Sequence, residues 1–256
     1  MTRIIAVTNQ KGGVGKTTTA VNLAASLAHL SHKVLLIDLD PQANATMGCG
    51  VDKSLVRGTV YHVLLGEKSI ADVRISTEFG FDVLPANRDL GGAEVELVTF
   101  AKREARLRDC LAELGNIYDY VLIDCPPALS LLTVNGLTAA GAVIIPMQCE
   151  YFALEGLSDL IGTLRKIRSS TNPRIEIEGL LRTLYDPRST LAQQVSAQLR
   201  EHFGDKVYET VIPRNIRLAE APSFGRPILA YDKSSKGAQA YLRLADELLS
   251  RQGSRE

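Results

Sequence analysis

The sequence has no CxxC pair and no clustered histidines, and its four cysteines, Cys49, Cys110, Cys125 and Cys149, are widely spaced. That excludes a zinc ribbon or a disulfide framework and points to reduced thiols in a cytoplasmic protein. Long hydrophobic runs are missing too. Val34-Leu-Leu-Ile37 and Ala142-Val-Ile-Ile145 stop well short of the roughly 18 residues needed to cross a bilayer. Met1-Thr-Arg3 leads straight into a strand pattern rather than a signal peptide. No repeat, linker or Pro/Gly/Ser-rich seam divides the 256 residues, so they are read as one domain, long enough to bury a core without staples. Neither sign of charge is in excess, since 29 Lys and Arg balance 29 Asp and Glu; the total does not mark a globally basic nucleic-acid binder.

The balance conceals an asymmetry. Residues 160–256 carry 16 basic against 11 acidic side chains, net +5, which leaves 13 against 18, net −5, for residues 1–159. Such a field acts on a partner only where the charges share a face.

With 45% hydrophobic and 23% charged residues the composition is globular. Seven β-rich runs, at 3–8, 33–38, 81–84, 120–124, 142–146, 177–181 and 206–212, alternate with amphipathic stretches at 16–30, 131–139, 154–169, 190–203 and 237–251. Several runs are apolar on both faces, as strands are when helices cover both sides of a parallel sheet. The expected fold is α/β: a doubly wound, mostly parallel sheet flanked by helices. Residues 253–256 are expected to fray.

The sharpest motif is Lys11-Gly-Gly-Val-Gly-Lys-Thr-Thr18, directly after the first strand and directly before the first helix. In an ordinary GxxxxGK[ST] phosphate loop the first glycine would stand at position 10, where this chain has Gln10; the glycines are Gly12, Gly13 and Gly15, flanking Val14. Such a loop turns its backbone N–H groups inward, the helix start adds partial positive charge, Lys16 reaches the β- and γ-phosphates, and the Thr17 hydroxyl can ligate Mg²⁺, with Thr18 next to it. Lys11, at the head of the loop, is poorly placed for phosphates on its own side, which leaves it free for a nucleotide in a facing subunit.

Two strands end in aspartates, Leu36-Ile-Asp-Leu-Asp-Pro-Gln42 and Val121-Leu-Ile-Asp-Cys-Pro-Pro127. Ligands of doubly wound sheets sit at the carboxyl ends of strands, so both point at the phosphate loop. Asp124 is placed to hold a Mg²⁺ shell through water. Asp38 and Asp40 are candidates for completing that shell and positioning the attacking water, with Asp40 the choice for activation.

These blocks, with Pro146-Met-Gln-Cys-Glu-Tyr-Phe-Ala-Leu-Glu-Gly156 and Ile212-Pro-Arg-Asn-Ile-Arg-Leu-Ala-Glu-Ala-Pro-Ser-Phe-Gly225, resemble the ParA/Soj-type partition ATPases, a deviant-Walker-A branch of the P-loop ATPases. The resemblance implies an ATP- and Mg²⁺-dependent ATPase whose ATP-bound subunits close face to face into a homodimer. It implies that Lys11 crosses to the partner's phosphates, that Gly12 lies at the close approach, that Asp40 is needed for hydrolysis, and that adenine is read near Pro213 and Asn215.

It further implies nucleoid association: the ATP dimer binds double-stranded DNA without sequence preference, and a ParB-type centromere-binding protein stimulates hydrolysis. A replication initiator stands open as a further partner, and the cargo as chromosome or plasmid. Arg188, Arg217, Lys233 and Lys236, all in the basic segment, are the candidate DNA contacts, with Arg182 and Arg214 as weaker additions. The first strand begins near Arg3, so no helix-turn-helix extension is expected. Two rivals share the cradle. A MinD-like membrane ATPase would carry a basic amphipathic tail, which Leu248-Leu-Ser-Arg-Gln-Gly-Ser-Arg-Glu256 does not resemble. An iron–sulfur carrier would need cysteines at a spacing that Cys125 and Cys149 lack.

Overall fold

A computed structural model describes residues 2–253 and gathers eight strands into one sheet, in the order β3-β4-β2-β5-β1-β6-β7-β8. The first half contributes β1 (Arg3–Val7), α1 (Lys16–His29), β2 (Val34–Asp38), α2 (Asn44–Gly48), α3 (Val60–Leu65), α4 (Ile70–Val73), β3 (Ile75–Ser76), β4 (Asp82–Leu84), α5 (Leu90–Glu96) and α6 (Arg106–Ala112). The second contributes β5 (Tyr120–Asp124), α7 (Leu131–Ala139), β6 (Ala142–Gln148), α8 (Ala153–Ser170), β7 (Glu176–Tyr185), α9 (Thr190–Phe203), β8 (Val207–Pro213), α10 (Ile216–Glu220), α11 (Ile228–Tyr231) and α12 (Lys236–Gly253). All pairings are parallel except β3 with β4.

The expected α/β fold is the one observed. The central strands β2 and β5 are buried at every residue, which is why their sequences run apolar without alternation. Their side chains nevertheless divide by pleat. Leu35, Ile37, Val121, Ile123, Val143 and Ile145 enter one core with α3 and α5 to α9. Val34, Leu36, Leu122 and Ile144 enter the other, against α1 and α12. Helix α1 faces the second core with Ala20, Leu23, Ala24 and Leu27, the i, i+3, i+4, i+7 spacing of a helix stripe. Helix α12 answers with Ala238, Tyr241, Ala245 and Leu248. Each fully buried Leu contributes about 1.5–3 kcal/mol.

Three features depart from expectation. The edge strand β3 is only two residues long and antiparallel, below any periodic signal. Helices α2 to α6 have four to seven residues each, too short for a clear helical stripe, and none was expected. Gly253, expected to fray, closes α12; residues 254–256 lie outside the described residues.

Strand β7 shifts register against both neighbours, and at Gly179 a side chain would collide with the sheet's largest core ring. A Cβ there would overlap the ring of the fully buried Tyr208. Gly179→Ala is therefore expected to destabilise the protein by about 1–3 kcal/mol through overpacking, read as a lowered thermal midpoint. An unchanged midpoint would show that the ring can move aside freely.

Candidate nucleotide site

The turn from β1 into α1 is built from both ends. The Asn9 carboxamide donates to the Pro146 carbonyl at 2.8 Å and accepts from the Lys11 N–H at 3.0 Å. Gln10, standing where the ordinary motif has glycine, donates to the Thr163 hydroxyl on α8 at 3.2 Å. At the far end Thr183 of β7 donates to the Val14 carbonyl at 2.7 Å. Gly13 and Gly15 sit at φ +74° and +86°, the left-handed region open to glycine at little cost. Gly15 precedes α1 without a side-chain cap, and no acidic residue occupies the first turn. The helix thus presents unsatisfied N–H groups and partial positive charge to the loop's hollow.

Lys16 is buried, and its ammonium donates to the Lys11 carbonyl at 2.9 Å. Burial lowers its pKa, while Asp124 and Asp40 oppose the shift. Those carboxylates arrive by register, because Asp38 and Asp124 end adjacent parallel strands as direct partners. Asp38 is fully engaged. It accepts from the Thr46 N–H and hydroxyl, both at 2.8 Å, and from the Asp40 N–H at 3.1 Å, so it holds the loop that carries Asp40. Burial pushes its carboxyl up to about 6.

Asp124 is the contrast. Both its oxygens are buried without a hydrogen-bond partner of good geometry, although the Thr17 hydroxyl is near enough to favour its ionised form. Burial and then the Asp38 charge raise its pKa well above the ordinary range. A buried, orphaned carboxylate beside a threonine hydroxyl and a lysine has the donor chemistry of a Mg²⁺ site of the kind completed by water and phosphate. Among the described residues no group of three His, Cys, Asp or Glu could hold a metal alone.

These groups open on a cleft of about 510 Å³, lined by Gly12, Gly13, Gly15, Lys16, Thr17, Thr18 and Asp40 at one end and by Thr183, Leu184, Ile212, Asn215, Leu218 and Tyr241 at the other. Leu184 has φ 49°, a strained conformation for a branched side chain, and Ala43 behind Asp40 has φ 56°. The end of β7 and the loop after β2 are both held against local preference where they frame the cleft.

A family model described as an AAA domain matches residues 2–177. A chromosome partitioning protein ParA from Caulobacter vibrioides is 54% identical over 257 residues, covering 99% of this chain and 96% of its own. The sporulation initiation inhibitor protein Soj from Bacillus subtilis is 52% identical over 249 residues, covering 97% and 98%. The chain belongs to the ParA/Soj family of chromosome-partitioning ATPases. A crystal structure of cobyrinic acid a,c-diamide synthase from Mycobacterium smegmatis, with bound ATP analogue and magnesium, superposes at TM-score 0.88 with 40% identity, covering 100% of this chain and 98% of that one.

The site residues expected from the ParA/Soj resemblance are distributed unevenly. Asn215 lines the cleft, where its side-chain oxygen also caps α10 through the Leu218 N–H at 3.2 Å. Pro213 lies instead on an adjoining groove with Tyr185, Pro187, Lys236 and Arg243. Lys11 stands at the rim, ion-paired to Glu150 at 2.5 Å. A Cβ on Gly12 would meet nothing within 4 Å, so any crowding there must come from outside the chain.

Among the DNA candidates, Arg188 is held by Asp186 through two bonds of 3.0 and 2.9 Å, and Arg217 by Glu220 at 3.0 Å and Asp232 at 3.5 Å. Lys233 and Lys236 are exposed and, among the described residues, outside any ion pair. Arg182 is a correction: it is buried, bonded to the Ser196 hydroxyl and the Tyr208 and Glu209 carbonyls, and cannot face a partner. Thr183, Leu184, Leu218 and Tyr241 were not expected from sequence. None carries chemistry of its own, and only the Thr183 hydroxyl offered any signal.

The strand-end carboxylates generate a prediction. Asp38 is held at about 6 against an ordinary 3.8, and Asp124 is also raised, so between 3.8 and the folded values the folded chain binds more protons than the unfolded. Stability of the ligand-free protein therefore falls as pH rises through that window. Asp124→Asn removes one titrating member and is expected to stabilise the ligand-free protein by about 1–4 kcal/mol at pH 7, and by less at pH 5. Denaturant midpoints at the two pH values test this; equal gains at both would sink it.

Proposed function

We propose that the protein is a Mg²⁺-dependent ATPase that closes as an ATP-bound homodimer, binds double-stranded DNA without sequence preference in that state, and releases it when a ParB-type partner stimulates hydrolysis. The observation carrying this reading is the rim of the cradle. The Lys11 ammonium, ahead of the phosphate loop, is paired with Glu150 and is not among the residues lining the cleft, beside a glycine whose missing Cβ faces open space. Both features fit a second subunit.

Within one subunit, the loop N–H groups and the start of α1 would bind the phosphates, and Lys16 would neutralise the β- and γ-oxygens. Thr17 and, through water, Asp124 would hold Mg²⁺, which when bound would offset the negative charge of the transferring phosphoryl group. Asp40, placed by Asp38, would orient the attacking water. Lys11 from the facing subunit would supply positive charge to the transition state, completing a site that neither subunit has alone. Asn215 and the apolar wall from Ile212, Leu184 and Leu218 would receive the base.

The DNA surface would comprise Lys233 and Lys236, with Arg188, Arg217 and Arg214 around them. Because Asp186 and Glu220 already compensate the two paired arginines, the lysines would carry more of the salt dependence.

Asp40→Ala protein with ATP is expected to bind a random-sequence duplex, with log affinity falling linearly against log salt, and to bind far more weakly with ADP. Lys233→Ala/Lys236→Ala should reduce that slope by about 2, roughly one per lost phosphate contact, without altering dimerisation. No duplex binding in either nucleotide state would overturn the reading, and retention on anionic vesicles would move the protein to the membrane branch of the fold. Glu150→Gln frees Lys11 from a surface ion pair of about 0–1 kcal/mol, so the ATP concentration for half-maximal dimerisation should fall up to about fivefold in sedimentation.

A further inference from the structure

Helix α8 runs from the carboxyl end of β6 back to the amino end of β7, so its C-terminal turn lies at the sheet edge opposite the nucleotide cleft. Arg165, Lys166, Arg168 and Arg174 stand there, all exposed. Between Asp159 and Glu176 the sequence has no acidic residue, and among the described residues none of the four is in an ion pair. Eight arginines elsewhere, Arg3, Arg74, Arg103, Arg108, Arg188, Arg200, Arg217 and Arg251, hold carboxylates instead.

The patch is held in place rather than loosely attached. Ile167 and Leu164 anchor the turn in the core. The buried Asn172 donates to the Leu137 and Ala140 carbonyls at 2.9 and 2.6 Å and accepts from the Arg174 N–H at 3.3 Å. The surrounding surface is polar. No large apolar side chain is exposed between Phe152 and Leu191, so nothing there could enter a lipid layer. Guanidinium groups match phosphate oxygens in geometry, and several close together suit a repeating phosphodiester rather than a single carboxylate.

We propose that this turn is a second contact for the phosphate backbone of duplex DNA, allowing one assembly to hold two DNA segments at opposite edges of the sheet. The proposal rests on the DNA reading given above. Lys236 lies beyond the carboxyl ends of β7 and β8, whereas α8's last turn lies at the amino end of β7, so the two contacts are assigned to separate segments. The second contact has no nucleotide loop beside it, so ATP would act on it only by bringing two copies of the turn together in one dimer.

The test tethers a random-sequence duplex to beads, adds protein with ATP and Mg²⁺, and measures capture of a second, fluorescent duplex across a salt series. Arg165→Ala/Lys166→Ala/Arg168→Ala is expected to retain ATP turnover and tethered-duplex binding within about threefold. Capture of the second duplex should fall at least fivefold, with its salt slope flattened by about 2 to 3, close to one per lost phosphate contact. Arg174→Ala, on the loop rather than the helix, should act in the same direction and guards against a helix effect. Unchanged capture in both variants, or preference of the patch for anionic vesicles over duplex, overturns the second contact alone. Failure of the unmodified protein to bind even the tethered duplex with ATP overturns the functional reading instead.

Discussion

The structure depends on one costly arrangement: two carboxylates, Asp38 and Asp124, buried side by side at the ends of adjacent strands. Removing charge from water is expensive, and like charges held together raise the expense. The apolar strands behind them impose this placement, since register leaves no freedom to separate the pair. Asp38 is compensated from within the chain by Thr46 and the Asp40 N–H. Asp124 is not, and both its buried oxygens are left without a hydrogen-bond partner of good geometry. The loop from Asp40 to Asn44, the left-handed Ala43 and the Thr183 bond to Val14 all serve the same hollow.

The cation distribution follows a similar logic on the outside. Eight arginines are spent on carboxylates of their own chain, which fixes surface loops but lessens their value to a polyanion. Uncompensated cations include Lys233 and Lys236 near the cleft and Arg165, Lys166, Arg168 and Arg174 at the opposite end of the strands. A net charge of zero therefore coexists with local positive fields.

Much of the fold was legible because its signals are local. Doubly apolar strands such as 120–124 imply cover on both faces, and the phosphate loop identifies itself by residue type, spacing and context. Short elements were not legible: α2 to α6 make one or two turns each, and two-residue β3 exists only because β4 offers an edge. Arg182 was misjudged for a related reason. An arginine in a strand reads as surface until the sheet order shows that Ser196 and two carbonyls surround it.

By itself the sequence determined the strand–loop–helix phosphate cradle, the α/β class and the presence of carboxylates at two strand ends, since each depends on residues near one another along the chain. Only the tertiary structure decided that Asp124 is orphaned while Asp38 is consumed, that Lys11 is held by Glu150, that Thr183 and Leu184 wall the cleft, and that Arg182 is buried while Arg165, Lys166, Arg168 and Arg174 are exposed without ion pairs. Those facts turn on which distant segments meet, and meeting is governed by strand order, register and the packing of helices on both faces, none of which any local stretch of residues encodes alone.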